Sequence, residues 1–301
     1  MRLKADLIML LAALIWGTAF VVQRVAASTL GTFLFNSSRF LLAALVLWML
    51  ARFQIKIDRK SLPLVIAAGV ILFAASGFQQ AGLATTTAGN AGFLTGLYVV
   101  IIPFLMQFFM RQRLRWAVWA AAFIAVLGAF LLSLGGSPLS DIRFVEGDLL
   151  EVVGAFLWAL HVVLVGIIVR RMSVQQFMIV QCAVCGILNL GFGIAFEGAT
   201  LPALLPSWWA IVYTGIFSIA LGFSLQGYGQ RHAPTADAAI VLSMEAVFAS
   251  LAGYIFLGEN LLPVQILGCA LIFSAILLAQ LAPGGVEPEL VENQAVKAVG
   301  D

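Results

Sequence analysis

The sequence predicts an all-α integral membrane protein of ten transmembrane helices, arranged as a 5+5 inverted-topology repeat with both termini cytoplasmic. Three observations carry that prediction. Apolar residues make up 62% of the 301 and charged residues 10%, whereas a soluble domain is roughly 45–50% apolar and about 25% charged; mean hydropathy is +1.07. Ten apolar runs of membrane-spanning length follow one another, cut by short polar loops. The first half also recurs in the second. Asp6 precedes Trp16 by ten residues as Asp148 precedes Trp158, and TAGNAGFLT from Thr87 answers TADAAIVLS from Thr235. Internal duplication in so apolar a chain points to a carrier with its substrate site near mid-membrane, at the repeat interface.

The spans are justified in order. The first, 6–25, follows Arg2 and Lys4 and so has the flanks of a signal peptide. It is long enough to span, and its copy begins deep in the chain at Asp148, so it is read as a transmembrane helix. The second covers 32–51. The third, 63–82, opens on Pro63, where a missing N–H costs nothing. The fourth, 89–110, carries Gly89, Gly92 and Gly96 as a small-residue stripe for close helix contact. It also holds Pro103, which removes one backbone bond and acts as a static bend or a hinge. The fifth covers 116–134 and the sixth 148–168. The seventh, 174–195, holds Cys182 and Cys185, read with Cys269 as small core residues rather than metal or redox groups. The eighth covers 207–229 and the ninth 236–257; the tenth, 263–281, opens on Pro263. Trp116, Trp119, Trp208 and Trp209 fall at span ends as interfacial aromatics. Continuous rather than alternating apolar runs argue against membrane strands.

Loop charges set the orientation. Arg2, Lys4, Arg52, Lys56, Arg59, Lys60, Arg111, Arg113, Arg115, Arg170, Arg171 and Arg231 fall on the side of the termini. The opposite loops hold Arg143 and otherwise the acids Asp141, Glu146, Glu197 and Glu259. The positive-inside rule places the termini in the cytoplasm. Five helices per copy is an odd number, so the second copy enters from the opposite face. The division is residues 1–137 for the first repeat, 138–282 for the second, and a polar cytoplasmic tail, 283–301, expected to be disordered.

With this arrangement the chain resembles the EamA family of the drug/metabolite transporter superfamily, over about residues 5–281. ALIWGTAF at 13–20 resembles the family's first-helix motif, SRFLLAAL at 38–45 its second-helix arginine motif, and LSMEAVFASLAGYIFLGE at 242–259 its ninth-helix pattern. Two positions depart from it. Arg111 stands where the first repeat often carries a Glu matching Glu259. Ala246 follows Glu245 where Pro is common, which implies a less kinked ninth helix. The resemblance implies a bacterial inner-membrane protein that exports or exchanges amino acids, aromatic ones included, or else drugs or nucleobase-like metabolites.

Intramembrane charges are costly and are functional candidates by default. Glu245 lies near the middle of the ninth span. There an ionised carboxylate is expensive, so it is a candidate to bind a substrate amine or carry a proton, or a neutral or paired residue that ties helices together. Arg39, two turns into the second span, suits bidentate pairing with a substrate carboxylate; it equally suits snorkelling or capping of helix ends. Arg24 reads as an interfacial anchor. His161 shares a face with Trp158 at i, i+3 and is a candidate ligand or proton relay, or a packed core histidine. Trp16, Trp158 and Tyr98 are expected to line a pocket for flat or apolar groups. Gln79 and Asn90 are expected to face the same cavity, since unpaired amides are costly in hydrocarbon; Gln80 points elsewhere.

Neither HExxH, nor GxSxG, nor a Walker loop is present, so the reading is non-enzymatic, without cofactor or metal and without nucleic acid. A gradient-driven carrier of a small molecule is expected, with proton coupling open. A polytopic enzyme on lipid-linked substrates and a passive channel are the competing classes.

Overall fold

The computed structural model describes residues 2–133, 146–198, 200–258 and 262–281. The loop charges Asp141 and Arg143, Glu259 and the tail lie outside the described residues. Those described form helices and no strands. Eight helices are long and apolar enough to cross a membrane, and two shorter apolar helices, Trp116–Leu131 and Pro263–Ala279, accompany them.

The chain opens with α1 (Arg2–Ala27), which ends where the hydroxyls of Ser28 and Thr29 bond back to the carbonyls of Val25 and Ala26. α2 (Thr32–Leu50) starts under a carboxylate from the second half of the chain: Phe33 and Leu34 donate their N–H groups to Glu197. Four helix N-terminal N–H groups lack intrahelical partners, and a carboxylate also complements the dipole there. α3 (Leu62–Gly82) has Pro63 in its first turn.

The fourth run is interrupted. α4 (Ala88–Gly96) is capped by Thr87, whose hydroxyl accepts from the N–H of Asn90. α5 (Tyr98–Phe104) begins after a break at Leu97. Pro103 lies inside α5, and a π-helical turn, Leu105–Phe109, follows it directly. Removal of one N–H from the ladder accounts for the disturbance.

α6 (Trp116–Ser133), α7 (Glu146–Arg171) and α8 (Val174–Phe196) are unbroken. The eighth run is composite: a 3₁₀ turn from Leu201, α9 (Trp208–Tyr213), a ten-residue π-helix at Thr214–Phe223, and α10 (Ser224–His232). The ninth comprises α11 (Thr235–Leu242) and α12 (Met244–Leu257), separated at Ser243. Absence of Pro after Glu245 led us to expect a less kinked ninth helix; the structure corrects this. The Ser243 hydroxyl donates to the carbonyl of Ile240, the kind of local bond that competes with the helical ladder. α12 ends on Gly258 at φ 69°, which favours glycine. α13 (Pro263–Leu281) closes the described chain.

Packing pairs distant segments: α6 with α13, α2 with α8, α3 with α7, and α1 with α12. Small residues permit it. A Cβ on Gly17 would lie 2.4 Å from the Cβ of Phe248 and 2.8 Å from the carbonyl oxygen of Glu245, and one on Gly128 would lie 2.6 Å from the carbonyl oxygen of Gly268. Close backbone approach of this kind takes the place of hydrophobic collapse between helices in lipid. Of the expected glycine stripe, Gly92 abuts Ala249 and Gly89 comes near Ser250, while Gly96 faces open space.

Candidate functional site

Where the interrupted helices meet α1, α2, α3, α7 and the π-helix, they leave a central cavity with about 560 Å³ of atom-free space between its walls. About 50 Å³ is open to the centre of a water-sized molecule, room for a few waters.

One wall is aromatic. Trp16, on the buried face of α1, packs its ring 5.2 Å from that of Phe223, and Trp158 of α7 lies 6.1 Å from Phe223 on another side. The Trp16 Nε1–H donates to the carbonyl of Ser218, 2.9 Å away, inside the π-helix. Its ring rests on Gly222, where a Cβ would come within 2.6 Å of Nε1. π-Helical geometry at a functional wall is a recurrent arrangement.

A second part is cationic. Arg39 of α2 is buried, donates from Nε to Asn36 Oδ1 at 2.9 Å and from Nη1 to Gln23 Oε1, and lies over the rings of Phe35 and Phe40 at 5.0 and 5.2 Å. It makes no ion pair with a carboxylate among the described residues. A buried cation held only by amides and ring faces leaves its charge uncompensated.

A third part is acidic. Glu245 is the second residue of α12 and Tyr98 the first of α5, so both helix breaks deliver a polar group to the lumen. Tyr98 Oη faces the Glu245 carboxyl, yet neither Oη nor Glu245 Oε1 has a fully aligned hydrogen bond. Nearby, Gln79 Nε2 donates to Thr95 Oγ1 at 3.2 Å, and Thr95 Oγ1 donates to Glu151 Oε2 at 3.0 Å. Trp158 Nε1 and Gln226 Oε1 are also buried without a partner. Buried polar atoms are rarely left so, and several around one lumen suit a ligand with several polar groups.

The structure thus brings Trp16, Arg39, Gln79, Tyr98, Trp158 and Glu245 to one cavity. His161 stands behind the wall: its Nε2 lies 2.9 Å from Gln181 Oε1, and its ring packs on Trp158 and Phe223. Asn90 sits in the first turn of α4, outside the lining. Gln80 donates to the carbonyl of Gln23, and Arg24 holds the carbonyls of Leu83 and Ala84 at the end of α3. Pro103 lies beyond the lining, between the cavity helix and its π turn.

Sequence reading missed Gln23, Thr95, Phe223 and Glu151. Thr95 had a signal, since it occupies the place in TAGNAGFLT that Ser243 occupies in TADAAIVLS. Gln23 lies seven residues, two turns, after Trp16 and shares its face.

Comparison with known proteins agrees with the geometry. The sequence model of the EamA-like transporter family matches residues 3–134 and again 145–281. An uncharacterized transporter of Archaeoglobus fulgidus is 31% identical, covering 93% of this chain and 87% of its own. The threonine/homoserine exporter RhtA of Escherichia coli (strain K12) is 29% identical over 58% of this chain and 57% of its own. A solved crystal structure matches with a TM-score of 0.77 at 22% identity, over 93% of this chain and 98% of its own; that likeness is one of fold.

Proposed function

We propose, from the premise that this chain belongs to the EamA-like transporter family, that it exports or exchanges small amino acids and related zwitterionic metabolites by alternating access across a bacterial plasma membrane. One observation carries the substrate class: the uncompensated Arg39 and the incompletely bonded Glu245 line the same cavity, with the aromatic rings of Trp16 and Trp158 on its walls. A guanidinium suits an α-carboxylate, and a carboxylate suits an α-ammonium. The threonine and homoserine named for RhtA are zwitterions of this kind.

The inverted 5+5 arrangement supports a rocking mechanism. Helix contacts occur in pairs that an inverted repeat relates. α1 packs on α11 and α12 as α7 packs on α4 and α5, and α3 packs on α7 as α1 packs on the π-helix and α10; α2–α8 and α6–α13 each relate to themselves. The two interrupted helices, α4–α5 and α11–α12, occupy corresponding places. Discontinuous helices at the repeat interface are where carriers form their sites.

An aromatic or nucleobase-like cargo is the second reading, favoured by the Trp16–Phe223–Trp158 surface. Counterflow in proteoliposomes separates the two. Labelled amino acids, nucleosides and cationic drugs are offered with and without a pH gradient. Counterflow of amino acids, and its loss in a folded Glu245→Gln protein, is the expected result. Wild-type amino-acid flux in Glu245→Gln, or flux of nucleosides alone, overturns the zwitterion reading.

A further inference from the structure

The two tryptophans that answer each other in the sequence, Trp16 and Trp158, both line the cavity, yet they are bonded differently. Trp16 commits its indole N–H to the carbonyl of Ser218. Trp158 Nε1 is buried and has no partner. Amides within the spans divide in the same way. Gln79, Gln80, Asn189 and Gln230 each donate to a protein oxygen. Gln226 is 1% exposed and lines the cavity with Oε1 unpartnered. Among the described residues the other unpartnered atoms of the lining are Tyr98 Oη and Glu245 Oε1, which face each other. An indole N–H only donates and an amide oxygen only accepts, so one donor and one acceptor are left that the protein does not answer. Such atoms are costly to bury unless something bonds them.

The two groups are neighbours. Gln226 follows Phe223 by three residues and precedes Gln230 by four, so all three lie along one face of the helix. The Phe223 ring packs on that of Trp158 at 6.1 Å, and Gln230 Nε2 donates to the carbonyl of Val162 at 3.0 Å, one turn after Trp158. Gln226 is held between those two contacts, opposite the turn of α7 that runs from Trp158 to Val162. Its Oε1 and Trp158 Nε1 are not bonded to each other. A group seated between them must accept from the indole and donate to the amide. A hydroxyl does both with a single heavy atom. A carboxamide does both with three, and only about 50 Å³ of the cavity is open to the centre of a water-sized molecule. A methyl does neither.

We infer that Trp158 and Gln226 form a side-chain subsite that selects amino acids bearing a hydroxyl, the indole N–H donating to that oxygen and Gln226 Oε1 accepting from it. The inference rests on the zwitterion reading, in which Arg39 and Glu245 take the carboxylate and the ammonium. Discrimination comes from the bonds an analogue fails to make. A methyl in place of the hydroxyl keeps the shape and leaves both protein atoms unpaired, and sites built to bond a hydroxyl reject such analogues strongly. The repeat-related tryptophans thereby do different work: Trp16 holds the π-helix, and Trp158 reads the cargo.

The test uses the full chain in proteoliposomes, with labelled L-alanine in counterflow and unlabelled competitors in matched pairs: L-threonine with L-valine, and L-homoserine with L-norvaline. In at least one pair the hydroxylated member is expected to inhibit wild type at a concentration lower by about tenfold or more; which pair shows it fixes the reach of the subsite. Gln226→Leu and Trp158→Phe each remove one bond and keep the bulk, and each is expected to bring that ratio below about threefold. Where a variant gives no alanine counterflow, the ratio is read in detergent from the concentrations of the two competitors that raise its melting temperature equally. Equal inhibition by both members of both pairs in wild type overturns the inference and leaves the zwitterion reading standing. Retention of the wild-type ratio in either variant also overturns it, as does a tenfold preference for L-asparagine over the hydroxylated competitors. Absence of amino-acid counterflow in wild type removes the zwitterion reading and the inference together.

Discussion

The indole N–H of Trp16 bonds the carbonyl of Ser218 across 202 residues of sequence, so the first helix is fastened to the π-helix within the aromatic wall of the cavity. Trp16→Phe keeps the ring and leaves that carbonyl unpaired, a loss of about 1–3 kcal/mol. We expect a melting temperature in detergent lower by several degrees. Gly222→Ala drives a methyl against Trp16 Nε1 and displaces the indole into the lumen, with a several-fold rise in KM for counterflow. Wild-type melting and wild-type KM in both variants would disprove the role assigned to this contact.

Arg39→Lys preserves charge but gives up the planar fork. A tenfold loss of affinity, about 1.4 kcal/mol, is expected for amino acids with a free carboxylate. The corresponding amine without a carboxylate should be transported equally by wild type and variant. KM values for phenylalanine and phenylethylamine, measured side by side, distinguish carboxylate binding from a general packing defect, which raises both.

Glu197 ends α8 and caps α2 through the N–H groups of Phe33 and Leu34. Glu197→Ala is expected to cost about 1–2 kcal/mol of stability and leave KM unchanged, because the carboxylate is remote from the cavity lining. Thermal unfolding in detergent and counterflow kinetics read the two quantities separately; a changed KM with unchanged melting contradicts a capping role.

The inverted topology is tested by an impermeant maleimide on intact cells, in a protein whose Cys182, Cys185 and Cys269 are replaced. Arg143→Cys is expected to react from outside, and Arg113→Cys only after the membrane is opened. Labelling of both from one side removes the odd number of spans between them, and the reverse pattern overturns the cytoplasmic placement of the termini.

Composition and period made the helices legible, because a chain so apolar has few ways to satisfy its backbone in lipid. Trp16, Trp158, Arg39 and Glu245 were legible for related reasons: a duplicated tryptophan marks corresponding depth, and a charge within a span needs a purpose. Glu151 was not, since an acid six residues into a helix that starts at Glu146 reads as an interfacial group until Thr95 and Gly82 are seen around it. His161 was ambiguous because its partner, Gln181, lies on another helix. The breaks at Leu97 and Ser243 and the π-helix at Thr214–Phe223 escaped reading because no proline stands at any of them.

Cross-chain pairing has a consequence for synthesis. Trp16 waits for Ser218, the start of α2 for Glu197, Thr86 for Asp148, and Lys56 N–H for Gln176. A ribosome that has delivered only the first five helices has left these groups unmatched in the bilayer and at its surface. That half-made intermediate is the stage most exposed to quality-control proteases, and pausing in the segment between the halves would set how long it stays exposed.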